Sequence, residues 1–262
     1  MNIILSMTSY GERLKILHTH LDWVKYIPYT FELYVGINEK IPQELIQFFE
    51  TTPNATLFLV NDIGPLTKVY YSLQKHPDDI IFIIDDDLNY SSHWINFAID
   101  SYQAHQKMFN DCVIGLIARK LLINPQNELE IMQFGEYQTE WQKTLNYYTG
   151  HSEPLKPSYR NLFLSGGPGS FLNIRQVNED FFNVGKYLQL CKSQDEIWTW
   201  VHSIRNGYKH VGLHTVNIHP GCIDNTQQYG LGININTVQH ERDMFKSCII
   251  EYPEILRYIH LD

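Results

Sequence analysis

Ile80-Ile81-Phe82-Ile83-Ile84-Asp85-Asp86-Asp87 sets five apolar residues, four of them β-branched, directly before three carboxylates. An apolar run without alternation is the pattern of a strand buried on both faces of a sheet. Like charges against the end of such a strand are costly unless a cation or a set of donors meets them. In open α/β sheets the ligand crevice lies outside the carboxyl ends of the strands, where these acids fall. A solvated acidic turn is the plainer reading of Asp-Asp-Asp, and the buried-looking strand before it argues against that.

Working outward, the pattern alternates. Residues 2–7 predict a strand, 12–26 a helix after the Tyr10-Gly11-Glu12 turn, and 31–37 a second strand. Pro42 opens a helix with Leu45, Ile46 and Phe49 on one face, and 56–60 predict a third strand. After the turn Asn61-Asp62-Ile63-Gly64-Pro65, helical spacing recurs at Leu66, Val69, Tyr70 and Leu73, and His76-Pro77 ends it. Beyond the acids, Ser91 or Ser92 caps a helix through Ile99, and 112–118 predict a strand. Residues 119–160 predict hairpins and loops, 196–201 a helix, 208–213 a late strand, 221–239 a lid and 240–250 a last helix. Strands separated by helices of this length mean βαβ units. The expected fold is α/β, a single Rossmann-like domain over 1–262 with a mostly parallel central sheet and helices on both faces.

The 262 residues are 44% hydrophobic and 19% charged, which is globular rather than disordered, and leave ample core for one domain. A formal net charge of −9 argues against a nucleic-acid surface, which needs a basic footprint. The four cysteines form no Cys-x-x-Cys pair and predict reduced thiols without zinc. Asn2 to Met7 reads as a core strand rather than a signal peptide, and no apolar run reaches membrane-spanning length. The expectation is a cytoplasmic protein, soluble or attached peripherally at the inner face of the membrane.

Four groups of residues could carry chemistry. Asp85 and Asp87 lie two apart and share a side of an extended chain, and magnesium and manganese prefer such hard oxygen ligands. Asp87 is assigned to the metal and Asp85 to a ribose or a metal-bound water. Gly166-Gly167-Pro168-Gly169 permits close backbone approach, but it is neither G-x-G-x-x-G nor a Walker loop, and such clusters alone are more often turns. Asp195-Glu196 before Ile197-Trp198-Thr199-Trp200 is either a helix-start acid pair or a general base beside a sugar-stacking platform. His219, in Ile218-His219-Pro220-Gly221, is a candidate ligand with His214 and His240 as rivals.

The order of these features resembles a GT-A-fold glycosyltransferase, closest to family 2-like bacterial enzymes that build surface polysaccharide. Residues Ser6 to Arg13, Gly64-Pro65-Leu66-Thr67-Lys68, Asp85-Asp86-Asp87, the glycine loop, Asp195-Glu196, Arg205-Asn206-Gly207 and His219-Pro220-Gly221 carry the likeness over most of the chain. The resemblance implies that 1–118 bind a nucleotide sugar, a UDP-sugar, and that 119–262 supply the acceptor half and the lid. It places Thr8, Tyr10, Arg13, Lys68, Asp85 and Asp86 on the donor, with Tyr10 stacked on the uracil. It gives Mn2+ or Mg2+ to Asp87, Asp85 and His219, and gives Gly166, Gly167 and Trp198 to a glycan or lipid-linked glycan acceptor. Asp195, with Glu196 beside it, would deprotonate the acceptor hydroxyl for inverting displacement. The chain departs from that pattern in carrying Asp-Glu for Glu-Asp, and Gly36-Ile37-Asn38-Glu39 where the family has Asp-Asp-Gly-Ser.

Two rivals compete. A sugar-nucleotide nucleotidyltransferase would carry a glycine-rich loop with Lys or Arg right after the first strand, where this chain has Thr8-Ser9-Tyr10-Gly11. A non-catalytic sugar-binding module leaves the acids unexplained. A haloacid-type phosphatase needs its nucleophile on an early strand and a following pattern that Leu88-Asn89 does not supply.

Overall fold

The computed structural model describes residues 1–123, 129–131, 162–164, 167–213, 218–224, 226 and 238–259. In it β4 (Ile80–Ile83) is the middle strand of a seven-stranded sheet. On one side it pairs in parallel with β1 (Ile3–Thr8), which pairs with β2 (Thr30–Gly36), which pairs with β3 (Ala55–Val60), all parallel. On the other side lies the short antiparallel β9 (Ser170–Leu172), followed by β5 (Cys112–Gly115) and β10 (Lys209–Gly212), which are parallel to each other. A three-stranded antiparallel sheet joins β7 (Leu129–Ile131), β6 (Ala118–Ile123) and β8 (Leu162–Leu164). The chain is a mixed α/β domain with a largely parallel central sheet.

Helices cover both faces, because the two-residue period of each strand sends neighbours to opposite sides. Ile81 and Ile83 join Leu66, Val69 and Leu73 of the region of α3 (Thr67–Lys75), and Trp198 and Val201 of α6 (Asp195–Arg205). Ile80 and Phe82 face the other way, onto Leu14 and Leu17 of α1 (Glu12–Leu17), and Ile95 and Ile99 of α4 (Ser92–His105). Three further helices matter below or complete the layers: α2 (Gln43–Thr51), α5 (Val184–Leu190) and α7 (Val238–Glu251). Among the described residues no helix is long and apolar enough to cross a membrane.

The sequence-based boundaries fail at identifiable bonds. The helix expected over 12–26 stops at Leu17, because the Thr19 amide and hydroxyl both take the Ile16 carbonyl, at 3.0 and 2.7 Å. A separate 3-10 turn follows at Asp22–Tyr26. The strand expected over 112–118 is two strands in two sheets, parting where the Leu116 amide bonds the Gly169 carbonyl at 3.0 Å. Most of 119–160, and residues 225 and 227–237 of the expected lid, lie outside the described residues. Cys112, Cys191 and Cys248 are buried free thiols, with the Sγ atoms of Cys191 and Cys248 3.2 Å apart.

One central polar group needs explanation. Glu32 of β2 is 1% exposed, and its carboxylate accepts from Tyr34 Oη at 2.6 Å and from Lys75 Nζ at 2.5 Å, with His76 Nε2 2.9 Å away. Burial alone would push its pKa up, but these donors outweigh it and hold the carboxyl below the ordinary glutamate value. A depressed folded-state pKa contributes stability above the unfolded pKa, which is lost as pH falls through the folded value. Glu32→Gln is therefore expected to cost about 2 kcal/mol at neutral pH in urea denaturation, with the difference from wild type shrinking as the buffer is taken below about pH 4.

Candidate functional site

The acids emerge where β4 ends, and each turns toward a cation from a different part of the chain. Asp86 is 6% exposed and faces inward, accepting from Ser9 Oγ at 2.6 Å and from Arg13 Nη1 at 2.5 Å. The second Arg13 nitrogen, Nη2, donates to Asp87 Oδ2 at 3.0 Å. Arg13 reaches them because Gly11, at φ +56°, folds the loop after β1 back over the strand ends. Burial pushes the Asp86 carboxyl up to about 6, with Arg13 and the Ser9 bond pulling the other way.

Lys68, in the first turn of α3, serves the third acid. Its ammonium bonds Asp85 Oδ1 and lies 3.4 Å from Asp195 Oδ2 at the start of α6. It is 4% exposed, and its carbonyl accepts from Ser6 Oγ of β1 at 2.7 Å, which ties α3 to the sheet. Burial opposes its charge, yet Asp195, Asp85 and Glu196 outweigh that and raise its pKa, so the ammonium is fully charged. Burial raises the pKa of Asp195 against the pull of Lys68, and it raises Glu196 further, with Asp195 and Asp85 adding to it. Of this adjacent pair, Lys68 faces the Asp195 charge, and Glu196 is the one driven toward its protonated form. Both acids line a cavity of about 20 Å³ with Ile83, Leu164, Ser170, Thr199 and His210.

A strap from the far end of the chain closes the other side. The Ile223 amide donates to the Asp87 carbonyl at 2.9 Å, the Asn89 amide to the Gly221 carbonyl at 2.7 Å, and Trp94 Nε1 to the Ile218 carbonyl at 2.8 Å. His219 is thereby set beside the acids. Tyr90 completes the frame: its hydroxyl accepts from the Asp85 amide at 3.1 Å and donates to the Gly167 carbonyl at 2.6 Å. A Cβ on Gly167 would sit 3.6 Å from Asp85 Oδ2, 3.9 Å from His219 Nε2 and 3.0 Å from Leu88 Cδ1. Asp85 Oδ2 and His219 Nε2 therefore converge on one point beside the Gly167 backbone, where Leu88 leaves little room for a side chain.

The residues singled out in the sequence thus divide. Asp85, Asp86, Asp87, Arg13, Lys68, Gly167, Asp195, Glu196 and His219 are gathered in one region at the carboxyl end of β4. Thr8 is elsewhere engaged, its hydroxyl donating to the Tyr34 carbonyl at 2.9 Å. Tyr10 remains 37% exposed, with the Arg13 guanidinium 5.7 Å from its ring centre. Trp198 cannot be an acceptor platform: it is 0% exposed and its Nε1 donates to the Phe181 carbonyl at 2.9 Å inside the core. Asp195 turns inward onto Lys68 instead of projecting into an open cleft, and is 5% exposed. Asp87 is paired to Arg13, and the acid with an oxygen beside Gly167 and His219 is Asp85. Gly166 lies outside the described residues.

Sequence reasoning missed Ser9, Tyr90 and the backbone strap. Ser9 stands inside a loop that did attract notice, whereas Tyr90 and Gly167 are 77 positions apart and nothing local pairs them.

A divalent cation fits this arrangement in part. Asp85 Oδ2 supplies a hard oxygen and His219 Nε2 an imidazole nitrogen beside the same glycine. Among the described residues no group of three or more His, Cys, Asp or Glu side chains is arranged to hold a metal.

No family model matches the chain, and no curated protein matches it. Similar solved structures exist. A 4-diphosphocytidyl-2C-methyl-D-erythritol synthase matches at 10% identity and TM-score 0.46, over 87% of this chain and 95% of that one. The 2-C-methyl-D-erythritol 4-phosphate cytidylyltransferase from Thermus thermophilus matches at 10% identity and TM-score 0.42, over 87% of this chain and 94% of that one. A cytidylyltransferase from Leptospira borgpetersenii serovar Hardjo-bovis matches at 10% identity and TM-score 0.40, over 100% of this chain and 97% of that one. Likeness at this level does not separate one activity from another.

Tyr90→Phe tests the frame. It leaves the Asp85 amide and the Gly167 carbonyl without their shared partner, and is expected to cost about 2 kcal/mol. Hydrogen exchange is expected to accelerate at the Asp85 amide, while the amides of β2 and β3 keep their protection.

Proposed function

We propose that the protein is a transferase acting on a nucleoside-diphosphate-linked substrate, moving a sugar from a UDP-sugar to a hydroxyl of a glycan or lipid-linked glycan acceptor. The observation that supports this reading is the convergence of Asp85 Oδ2 and His219 Nε2 beside the Gly167 backbone at the carboxyl end of β4. Mn2+ or Mg2+ held by these two groups would keep positions for phosphate oxygens and would stabilise the charge of a departing diphosphate.

The chain's own residues have separate tasks. Arg13 and Ser9 hold Asp86, and Arg13 holds Asp87, which keeps the acidic loop from collapsing outward by self-repulsion. Tyr90 fixes Asp85 against Gly167. Asp195 suits the base better than Glu196, because Lys68 faces its charge and favours the carboxylate form that a base needs. Glu196 is driven toward the neutral form and serves as its uncharged neighbour.

A second reading, nucleotidyl transfer, rests on Arg13. That reading calls for a cation in the loop after the first strand, and here the first turn of α1 delivers one to the acids. The two readings share the crevice and differ in the nucleotide they take.

Calorimetric titration separates them. UDP is expected to bind wild type only with Mn2+ present, and Asp85→Asn and Gly167→Ala are each expected to weaken that binding by about tenfold or more, a loss of some 1.4 kcal/mol. Asp87→Ala, which leaves Asp85 and His219 in place, is expected to lose less. If UDP is refused while CTP binds with metal and pyrophosphate is released with an alcohol-phosphate acceptor, nucleotidyl transfer replaces glycosyl transfer. If neither nucleotide binds under any condition, both readings are wrong.

A further inference from the structure

Lys68 occupies an unusual position, because a single ammonium bonds the acid proposed to receive a cation and also approaches the acid proposed as base. Lys68 and Asp195 lie out of bulk solvent, with side-chain exposures of 5% and 8%, while Asp85 is partly exposed at 25%. Charges this close in a poorly screened site interact strongly, so a second cation at Asp85 must contend with the first. Ser6 and Ser72 hydroxyls both donate to its backbone carbonyl, anchoring the turn that carries it. From that fixed base the ammonium reaches both acids.

We propose that Lys68 is an internal counter-ion that a divalent cation displaces from Asp85 toward Asp195, so that cation and nucleoside diphosphate bind cooperatively. This rests on the reading that Asp85 and His219 receive the cation. Without a ligand, the ammonium spans Asp85 and Asp195 and holds the acidic loop to the first turn of α6. A divalent cation alone would gain Asp85 while facing a resident positive charge. With the diphosphate present the added negative charge offsets that repulsion, and the ammonium pairs wholly with Asp195. No proton is gained or lost in the exchange. Lys68 is thus a positioning residue that makes occupancy by the cation conditional on the nucleotide, a coupling that must be reciprocal.

The test measures Mn2+ alone, by the loss of its free-ion electron paramagnetic resonance signal on titration into protein. Lys68→Met is expected to bind Mn2+ about tenfold more tightly than wild type in the absence of nucleotide. The factor by which UDP improves Mn2+ binding is expected to fall correspondingly. Because Lys68→Met strands Asp195 as a buried charge, the same comparison is made between Asp195→Asn and Lys68→Met/Asp195→Asn, which removes both charges together. The gain on removing the lysine is expected in that background too. If wild type binds Mn2+ in a manner lost in Asp85→Asn, yet removing Lys68 leaves affinity and UDP coupling unchanged or weaker, the counter-ion role is overturned and the metal reading stands. If neither wild type nor any variant binds Mn2+ even with UDP, the metal reading falls and this role falls with it.

Discussion

Three carboxylates at the mouth of a buried strand repel one another and lose hydration, and much of what surrounds β4 is a response to that. The chain meets them with its own cations. Arg13 takes Asp86 and Asp87, and Lys68 takes Asp85, from α1 and α3 respectively. Buried ion pairs of this kind add little net stability over apolar packing, because desolvation consumes most of the Coulomb gain. Their persistence at the ligand-binding end of the sheet is better understood as placement: they fix which oxygen of which acid stays available. That logic leaves Asp85 Oδ2 toward Gly167 and turns both Asp86 oxygens inward.

The same demand links parts of the chain that are remote in sequence. Arg13 and Asp86 are 73 positions apart, and Lys68 and Asp85 are 17 apart. Lys68 also approaches Asp195, far downstream. The strap at 218–223 adds backbone bonds from nearer the C-terminus. Since the contacts come from α1, α3, α6 and the strap, a shift in any one is felt at the acids. The carboxylates organise their neighbours because none of those neighbours alone can neutralise them.

How much of this was legible follows from what each residue needed. The strand at 80–83, the parallel neighbours and the two-sided helical cover were readable, since unbroken or alternating apolar runs follow directly from burial. The acids were readable as a site because charge beside a core strand requires a partner. The end of α1 was not, since it depends on one threonine competing for the Ile16 carbonyl. Trp198 was misjudged because a tryptophan near acids suits sugar stacking and core packing equally, and only the Phe181 carbonyl at its Nε1 decides the matter. Tyr90 carried no signal, because its role depends on tying the Asp85 amide to a glycine carbonyl far along the chain. The division between Asp85 and Asp87 also lay beyond the sequence. Their spacing makes them equivalent, and a side chain from another helix, Arg13, breaks the symmetry.

The antiparallel strand β9 explains why a glycine turn lies at this place at all. In a wholly parallel sheet each strand presents its N-terminal approach at the end opposite the crevice. Running against β4 and β5, β9 brings the residues before it, Gly167 to Gly169, to the carboxyl end of β4, with Ser170 paired to Ile83. The approach is close enough to dictate composition. Gly169 has φ +100°, and a Cβ there would collide with the Phe82 ring, so the turn tolerates only glycine at that position. Stacking of Phe82 on Phe171, with ring centres 4.2 Å apart, locks the two strands in this register. Register then carries Gly167 to Asp85, and the Tyr90 hydroxyl bonds both residues. The meeting of Asp85 and His219 beside Gly167 is therefore a consequence of strand direction as much as of the acids themselves.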